Sequence, residues 1–348
     1  MYRARMSRAP WISRWLGTPR SAALALAFLI GLALLGTVLT GTAEAAYPGG
    51  DGLIAFVRGG NIYTIDPGRL ASAVKLTADG HDSGPRWSPD GQQIAYVHRG
   101  NLWVMNATGS HKKRLTSTAP AYAASRPSWS PNGHYLAFVL TKRGRTHGYL
   151  TRYSLSARSI RYFTTTINGH LIRVAARPAP VAWAWAVTTP QNASHGSYLA
   201  YEGAGALCPF ADEYCLNLLG FPSQSGYKNG FPSDEEGPTM FRLTDPDWYP
   251  QNPLYYQDLM TSQENCSGGH CAPVGLDLTI GATPAYLGGY DGVYSPSGGL
   301  FAYVVDNRRG KPRIYLGGPP RMHVRLTTGS EPDWQPVPAG RPLIRGER

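Results

Sequence analysis

The sequence lacks the signatures of the common hydrolases. No Gly-x-Ser-x-Gly segment occurs in its 348 residues, and no His-Glu-x-x-His. The first absence excludes the sharp nucleophile turn of an α/β-hydrolase, the second the helical zinc pair of a metalloprotease. The nine His residues are scattered. Most, such as His98 and His134, fall on strand or turn positions as surface or edge residues. Runs of Lys and Arg never exceed a few residues and are not interleaved with aromatics, so nucleic acid is not an expected partner. Asp234-Glu235-Glu236 lacks the oxygen-ligand spacing of a calcium loop and reads as a solvated acidic run. No catalytic residue, metal or cofactor is expected from this inventory.

Acidic residues are missing from the start of the chain. Arg3, Arg5, Arg8, Arg14 and Arg20 precede an uncharged, mostly apolar stretch from Ser21 to Thr40, and Ala43-Glu44-Ala45-Ala46 follows. This is the order of a secretory signal: basic region, apolar region, small-residue cleavage site. The apolar run is long for a signal and just long enough to span a bilayer. A cleaved signal peptide over 1–46 and an uncleaved anchor over 21–43 both fit. In either case the chain from Tyr47 onward is exported, to be secreted, periplasmic or held at the cell surface. Membrane contact is expected only through the uncleaved segment. No Arg-Arg pair in the basic region supports twin-arginine export, and no Cys after the apolar run supports lipid attachment. The net charge is +11, of which the leader carries +4. The remaining, mildly basic surface suits contact with anionic envelope polymers.

Gly (41) and Pro (29) are abundant and scattered, which suits many short strands joined by tight turns. One segment recurs. Trp87-Ser88-Pro89-Asp90-Gly91-Gln92-Gln93-Ile94-Ala95-Tyr96-Val97 returns as Trp129-Ser130-Pro131-Asn132-Gly133-His134-Tyr135-Leu136-Ala137-Phe138-Val139, and again from Tyr294 to Val304. Pro sets φ in the turn and Gly takes the φ > 0 position. Asp90, Asn132 and Ser297 replace one another there, as residues of a turn would. Around Trp87 the pattern gives four short antiparallel strands in about 40 residues, the content of one propeller blade.

Aromatic anchors fall at Trp87, Trp129, Trp183, Trp248, Tyr294 and Trp334, spaced 42, 54, 65, 46 and 40 residues apart. A blade-ending Leu-Thr recurs at Leu76-Thr77, Leu115-Thr116, Leu243-Thr244 and Leu326-Thr327, with Phe163-Thr164 in its place once. The exported part opens on Gly50 to Val57, a blade without its first strand. It closes on Glu331-Pro332-Asp333-Trp334-Gln335-Pro336, a first strand without its blade. Pairing the two would remove exposed sheet edges. The expected fold is all-β: a six-bladed β-propeller of four-stranded antiparallel blades, its ring closed by the C-terminal strand. The expected organisation is a leader over 1–46, a propeller over 47–337 with insertions at about 203–240 and 260–282, and a basic tail over 338–348. The fifth blade, from Pro246 to about Ala282, lacks a clear Gly turn.

These residues resemble the TolB-like propeller family, whose repeat is also called PD40 or WD40-like. The resemblance covers Asp51 to Pro336 and is most specific in the second blade and the closing strand. It implies a ring with the Trp-containing strand innermost, and binding or scaffolding in the periplasm or outside the cell. The namesake works with envelope lipoproteins and carries a separate α/β domain before its propeller. With the Trp strand innermost, Arg86, Ser128, Asp247 and Asp333 approach the central channel, and Asp291 and Glu331 lie close by. Arg86, Asp247, Asp291, Glu331 and Asp333 are the candidate binding residues of a channel mouth, with mutual ion pairing as the alternative.

Four Cys in an exported chain read as disulfides. Of three connectivities, the local one joins Cys208 to Cys215 and Cys266 to Cys271, stapling two irregular segments. A metal site of Cys266, His270 and Cys271 departs from the common zinc spacings. The expected protein is a monomeric, non-catalytic binding or scaffolding module that recognises an envelope protein or glycan. The alternative is a polysaccharide lyase or hydrolase with its site in the channel.

Overall fold

The repeat folds as its turns and its period-two apolar alternation require. The computed structural model describes residues 49–69, 72–167, 169–185, 197–203, 216–221, 226–231, 240–248, 259–267, 270–280, 283–318 and 322–338. Among these residues there are strands, turns and bends but no helix. The leader 1–46, Cys208, Cys215 and residues 339–348 lie outside them.

The Trp87 repeat forms a four-stranded antiparallel sheet in the order Asp82–Trp87, Gln93–His98, Asn101–Asn106 and Lys113–Arg114. Its first turn is locked by side chains. Ser88 Oγ accepts from the Gln93 amide at 2.9 Å, Asp90 Oδ1 accepts from Gln92 N at 3.1 Å, and Gly91 has φ +65°. The Trp129 repeat reproduces this with Ser130, Asn132 and Gly133 (φ +70°). The Tyr294 repeat does so with Ser295, Ser297 and Gly298 (φ +71°). Gly91 is required twice over, because a Cβ there would stand 2.2 Å from Pro336 O. Three of the expected blade-ending residues share one job, whereas Leu243-Thr244 lies inside Met240–Trp248, the first strand of the fifth sheet, and does not end a blade. Leu76 N donates to Ile62 O, Leu115 N to Leu102 O and Phe163 N to Leu150 O, at 2.8, 2.8 and 3.0 Å. Phe163 thus does in its sheet what Leu does elsewhere.

Both ends of the described chain enter one sheet, in the order Ser330–Val337, Gly50–Arg58, Asn61–Ile65 and Val74–Lys75. Its register sets Ile54 opposite Trp334 and Ala55 opposite Asp333. Gln335 fastens this strand on both sides, accepting from Leu53 N at 3.0 Å and donating to Gly91 O at 2.8 Å. The Trp129 sheet is larger, with six strands, and a two-stranded hairpin (Thr164–Ile167 with His170–Arg173) follows it. That hairpin takes up part of the long Trp129–Trp183 spacing.

Three further four-stranded sheets follow, each in sequence order, starting at Ala182–Trp185, Met240–Trp248 and Tyr290–Tyr294. The segments taken from the sequence as insertions supply strands to two of them. Leu216–Phe221 and Gly226–Phe231 are the outer strands of the fourth sheet, and Leu259–Ser267 and His270–Ile280 the middle strands of the fifth. These strands are joined without the Ser-Pro-x-Gly turn, which hid them. Cys266 and Cys271 are direct cross-strand partners in that last hairpin.

The core lies between successive sheets. Ala55 and Ile62 pack with Trp87, Ile94 and Met105. Ala95 and Leu102 pack with Trp129, Leu136 and Phe138. Ala137, Val139 and Leu150 meet Val181, Leu199 and Leu219. Met260 meets Tyr294 and Tyr303. Ile54, Phe56 and Trp334 meet Val293, Ala302 and Ile314. Removing a buried aromatic anchor of this kind costs about 3–5 kcal/mol.

Deleting the chain after Thr328 is expected to abolish cooperative thermal unfolding, because it bares the Gly50–Arg58 edge and removes Trp334 from its core. Circular dichroism melts of the truncated and full chains test this, and an unchanged transition refutes it. Thiol labelling of the native, unreduced protein is expected to find no reactive Cys, since Cys266 and Cys271 face one another across a hairpin. Stoichiometric labelling is the contrary result.

Candidate functional site

An acidic residue before two of the anchors reaches the next sheet. Asp333 Oδ1 pairs with Arg86 Nη1 at 2.7 Å, and Asp333 Oδ2 accepts from Trp87 N at 2.6 Å. Asp247 repeats the move, its Oδ2 accepting from Tyr294 N at 2.8 Å. In both cases a carboxylate beside one anchor accepts a hydrogen bond from the amide of the next. The Arg86 and Asp333 side chains are each 11% exposed. Burial pushes the Asp333 carboxyl up, and the Arg86 guanidinium and the Trp87 N–H pull against that. Arg86 also lends its carbonyl to Trp129 Nε1 at 3.0 Å, which joins the second sheet to the third. Ser128, before Trp129, is buried.

A second tier lies three residues before the anchors. Gly84, Asp291 and Glu331 hold this position with φ of +58°, +53° and +54°. Register shifts at each place mark β-bulges. Gly adopts this conformation without strain, whereas a left-handed non-Gly residue costs about 1–3 kcal/mol. The third sheet places Arg126 here instead. Arg126 pairs with Asp291 through Nη1 and, at 3.3 Å, through Nη2, and approaches Glu331 Oε1 at 3.5 Å. Glu331 N donates to Asp291 Oδ2 at 2.7 Å, and Gly84 N donates to Glu331 Oε2. A Cβ on Gly84 would meet Arg126 Cγ at 2.6 Å, so the guanidinium crosses the second sheet where only Gly leaves room. Asp291, Glu331 and Arg126 are therefore brought together, and Arg86 joins Asp333. Arg126 escaped sequence reasoning because it is the one basic residue at a position held elsewhere by Gly84, Pro180 and three acids. Its offset from Trp129 was the available signal.

A different cluster flanks the link between the first two sheets. His98 Nδ1 stands 2.8 Å from Asp82 Oδ1 and 3.2 Å from Asp79 Oδ2. Asp82 and His98 are cross-strand partners. They border a cavity of about 420 Å³, lined also by Thr77, Tyr96, Trp103 and Lys112. The Trp103 ring meets His98 edge-on at 5.2 Å. Burial pushes the Asp82 carboxyl up, against hydrogen bonds from Thr77 and His98. Slight burial raises Asp79 too, but His98 and neighbouring hydrogen bonds outweigh it and hold that carboxyl below its ordinary range. The three donor atoms lie within 4.8 Å of one another, a set that can hold a metal ion. His98 is thus more than the edge residue its sequence position implied.

The Dipeptidyl peptidase IV N-terminal region family model matches residues 61–139. No curated protein matches the chain. Among solved structures, TolB from Acinetobacter baumannii is similar at a TM-score of 0.56 and 16% identity, over 91% of this chain and 72% of that one. A putative TolB from Agrobacterium tumefaciens is similar at 0.50 and 14% identity, over 81% of this chain and 91% of that one. The fold is that of a β-propeller.

Asp333→Ala is expected to lower stability by about 3–5 kcal/mol, since it strands a buried guanidinium. Chemical denaturation measures it, and a change within error would mean the pair is dispensable. At Glu331, replacement by Gly is expected to cost about 1 kcal/mol less than replacement by Ala, because the left-handed backbone is relieved. Equal costs would remove strain from the account.

Proposed function

We propose that the protein is an exported six-bladed propeller, its ring closed by Ser330–Val337, that binds an anionic envelope glycan or an acidic protein face without transforming it. The ring is supported by the neighbour order of the first strands. Ser330–Val337 lies beside Asp82–Trp87, which lies beside Ser128–Trp129, and the series runs on through Ala182–Trp185, Met240–Trp248 and Tyr290–Tyr294 back to Ser330–Val337. Export is supported by the basic leader and apolar run. The observation that carries the binding reading is that Arg86, Asp247, Asp291, Glu331 and Asp333 each hold a neighbouring sheet. Groups so engaged are framework, and a ligand meets the loops that the framework presents.

The sixth sheet presents such a loop. Asp306, Asn307, Arg308, Arg309 and Arg313 line a shallow pocket of about 480 Å³. Asn307 Oδ1 accepts from Arg309 N at 2.8 Å and from Lys311 N at 3.0 Å, and Gly310 has φ +66°. The turn is therefore preorganised, with Arg308 and Arg309 exposed. Arg313 Nε is buried with no hydrogen-bond partner among the described residues. Rigid guanidinium groups suit carboxylate and phosphate groups on a polymer.

Binding of the exported protein to purified anionic envelope polysaccharide tests the proposal. Replacing Arg308 and Arg309 together by Glu is expected to weaken retention at least tenfold at unchanged melting temperature. Equal retention removes the turn from the interface. Shortening of the polysaccharide chains during incubation replaces binding with catalysis.

A further inference from the structure

We propose that Asp79, Asp82 and His98 form a binding site for one divalent transition-metal ion of the zinc kind, with an open coordination position toward the cavity beside Trp103. This does not depend on the partner-binding reading. Tetrahedral zinc with bonds of about 2.0–2.1 Å places its ligand atoms about 3.3 Å apart. The His98 Nδ1 separations of 2.8 and 3.2 Å from the two carboxylate oxygens are close to that. An ion replaces the imidazole proton after a spread of a few tenths of an ångström. Two carboxylates and one imidazole also balance a doubly charged cation. The imidazole nitrogen favours zinc and its neighbours over calcium and magnesium, which prefer all-oxygen shells.

The ligands are held from behind. Thr77 hydrogen-bonds Asp82, and the Ile62 amide in turn donates to Thr77 Oγ1 at 2.9 Å. Asp82 is buried in the sheet beside its partner His98. Such outer contacts orient metal ligands.

One further group points to a ligand at the same place. Tyr96 and Trp103 both line the cavity, and Trp103 Nε1 is buried without a partner among the described residues. A buried polar group of this kind costs about 1–3 kcal/mol unless something satisfies it. A water or anion in the cavity would accept from it. The repeat supplies an internal control. At the same offsets from Trp129 stand Ala121, Ala124 and Leu140, with Ala124 opposite Leu140 as Asp82 is opposite His98. The blade therefore does not need the acid–imidazole set in order to fold.

The test uses the protein as the cell exports it, untagged and freed of metal by a chelator. Titration with zinc chloride is followed by calorimetry and by thermal melting. One ion per chain with a dissociation constant of micromolar or tighter is expected, with a raised melting temperature. His98→Ala and the half-exposed Asp79→Asn are expected to weaken binding at least tenfold while melting like the metal-free parent. Cobalt is expected to show the intense visible bands of a four-coordinate site with a nitrogen ligand, lost in His98→Ala. No binding by the parent overturns the proposal. So does equal binding by both variants, which would place the ion elsewhere.

Discussion

The Arg126 guanidinium is the point on which the arrangement of sheets depends. It leaves the third sheet, passes over Gly84 of the second, and ends on Asp291 of the sixth and Glu331 of the first. One side chain thus links sheets that are not neighbours along the chain. Its two acidic partners keep a backbone conformation that L-residues avoid, and they keep it because the ion pairs and amide bonds around them determine it several times over. Such a cluster tolerates little drift. A shift of one sheet breaks bonds to the other three, so the cluster is either fully assembled or not formed.

Around that hub the apolar packing is almost generic. Four sheets bury a Trp or Tyr anchor (Trp87, Trp129, Tyr294 and Trp334) against residues of a neighbour. That pattern supplies most of the stabilisation and little of the identity. The specific information lies in polar residues at fixed offsets from the anchors. One offset carries the carboxylates that accept a hydrogen bond from the next anchor's amide. Another carries the bulge with Gly84, Asp291 and Glu331. A charged residue in this protein is best interpreted by its distance from Trp or Tyr.

Much of this was legible in the sequence where the repeat is regular. The Ser-Pro-x-Gly turns, the endings at Leu76, Leu115 and Phe163, and the union of the two chain ends all follow from sequence patterns, whereas Leu243-Thr244 proved to lie inside a first strand. Local patterns work there because turns and caps are local interactions. The strands Leu216–Phe221 and Gly226–Phe231 were not legible, since neither is bounded by the turn that marks the others. Arg126 was missed because its partners lie 165 residues away or more. The Asp79, Asp82 and His98 cluster was missed for a milder reason. Asp82 and His98 are 16 residues apart and meet only once the register of two strands is known.

Gln335 has a consequence for the order of events in the life of the chain. Its side chain binds Leu53, 282 residues earlier, as well as the Gly91 turn. The edge of Gly50–Arg58 therefore waits, unpaired, until the chain has been made as far as Ser330–Val337. Pairing across such a separation is slow, and an unpaired edge invites pairing with other chains. During that interval the protein is a set of finished sheets with one open seam. The seam stays open until Ser330–Val337 arrives, so a chain cut short before that strand keeps a bare sheet edge however well its other sheets have formed.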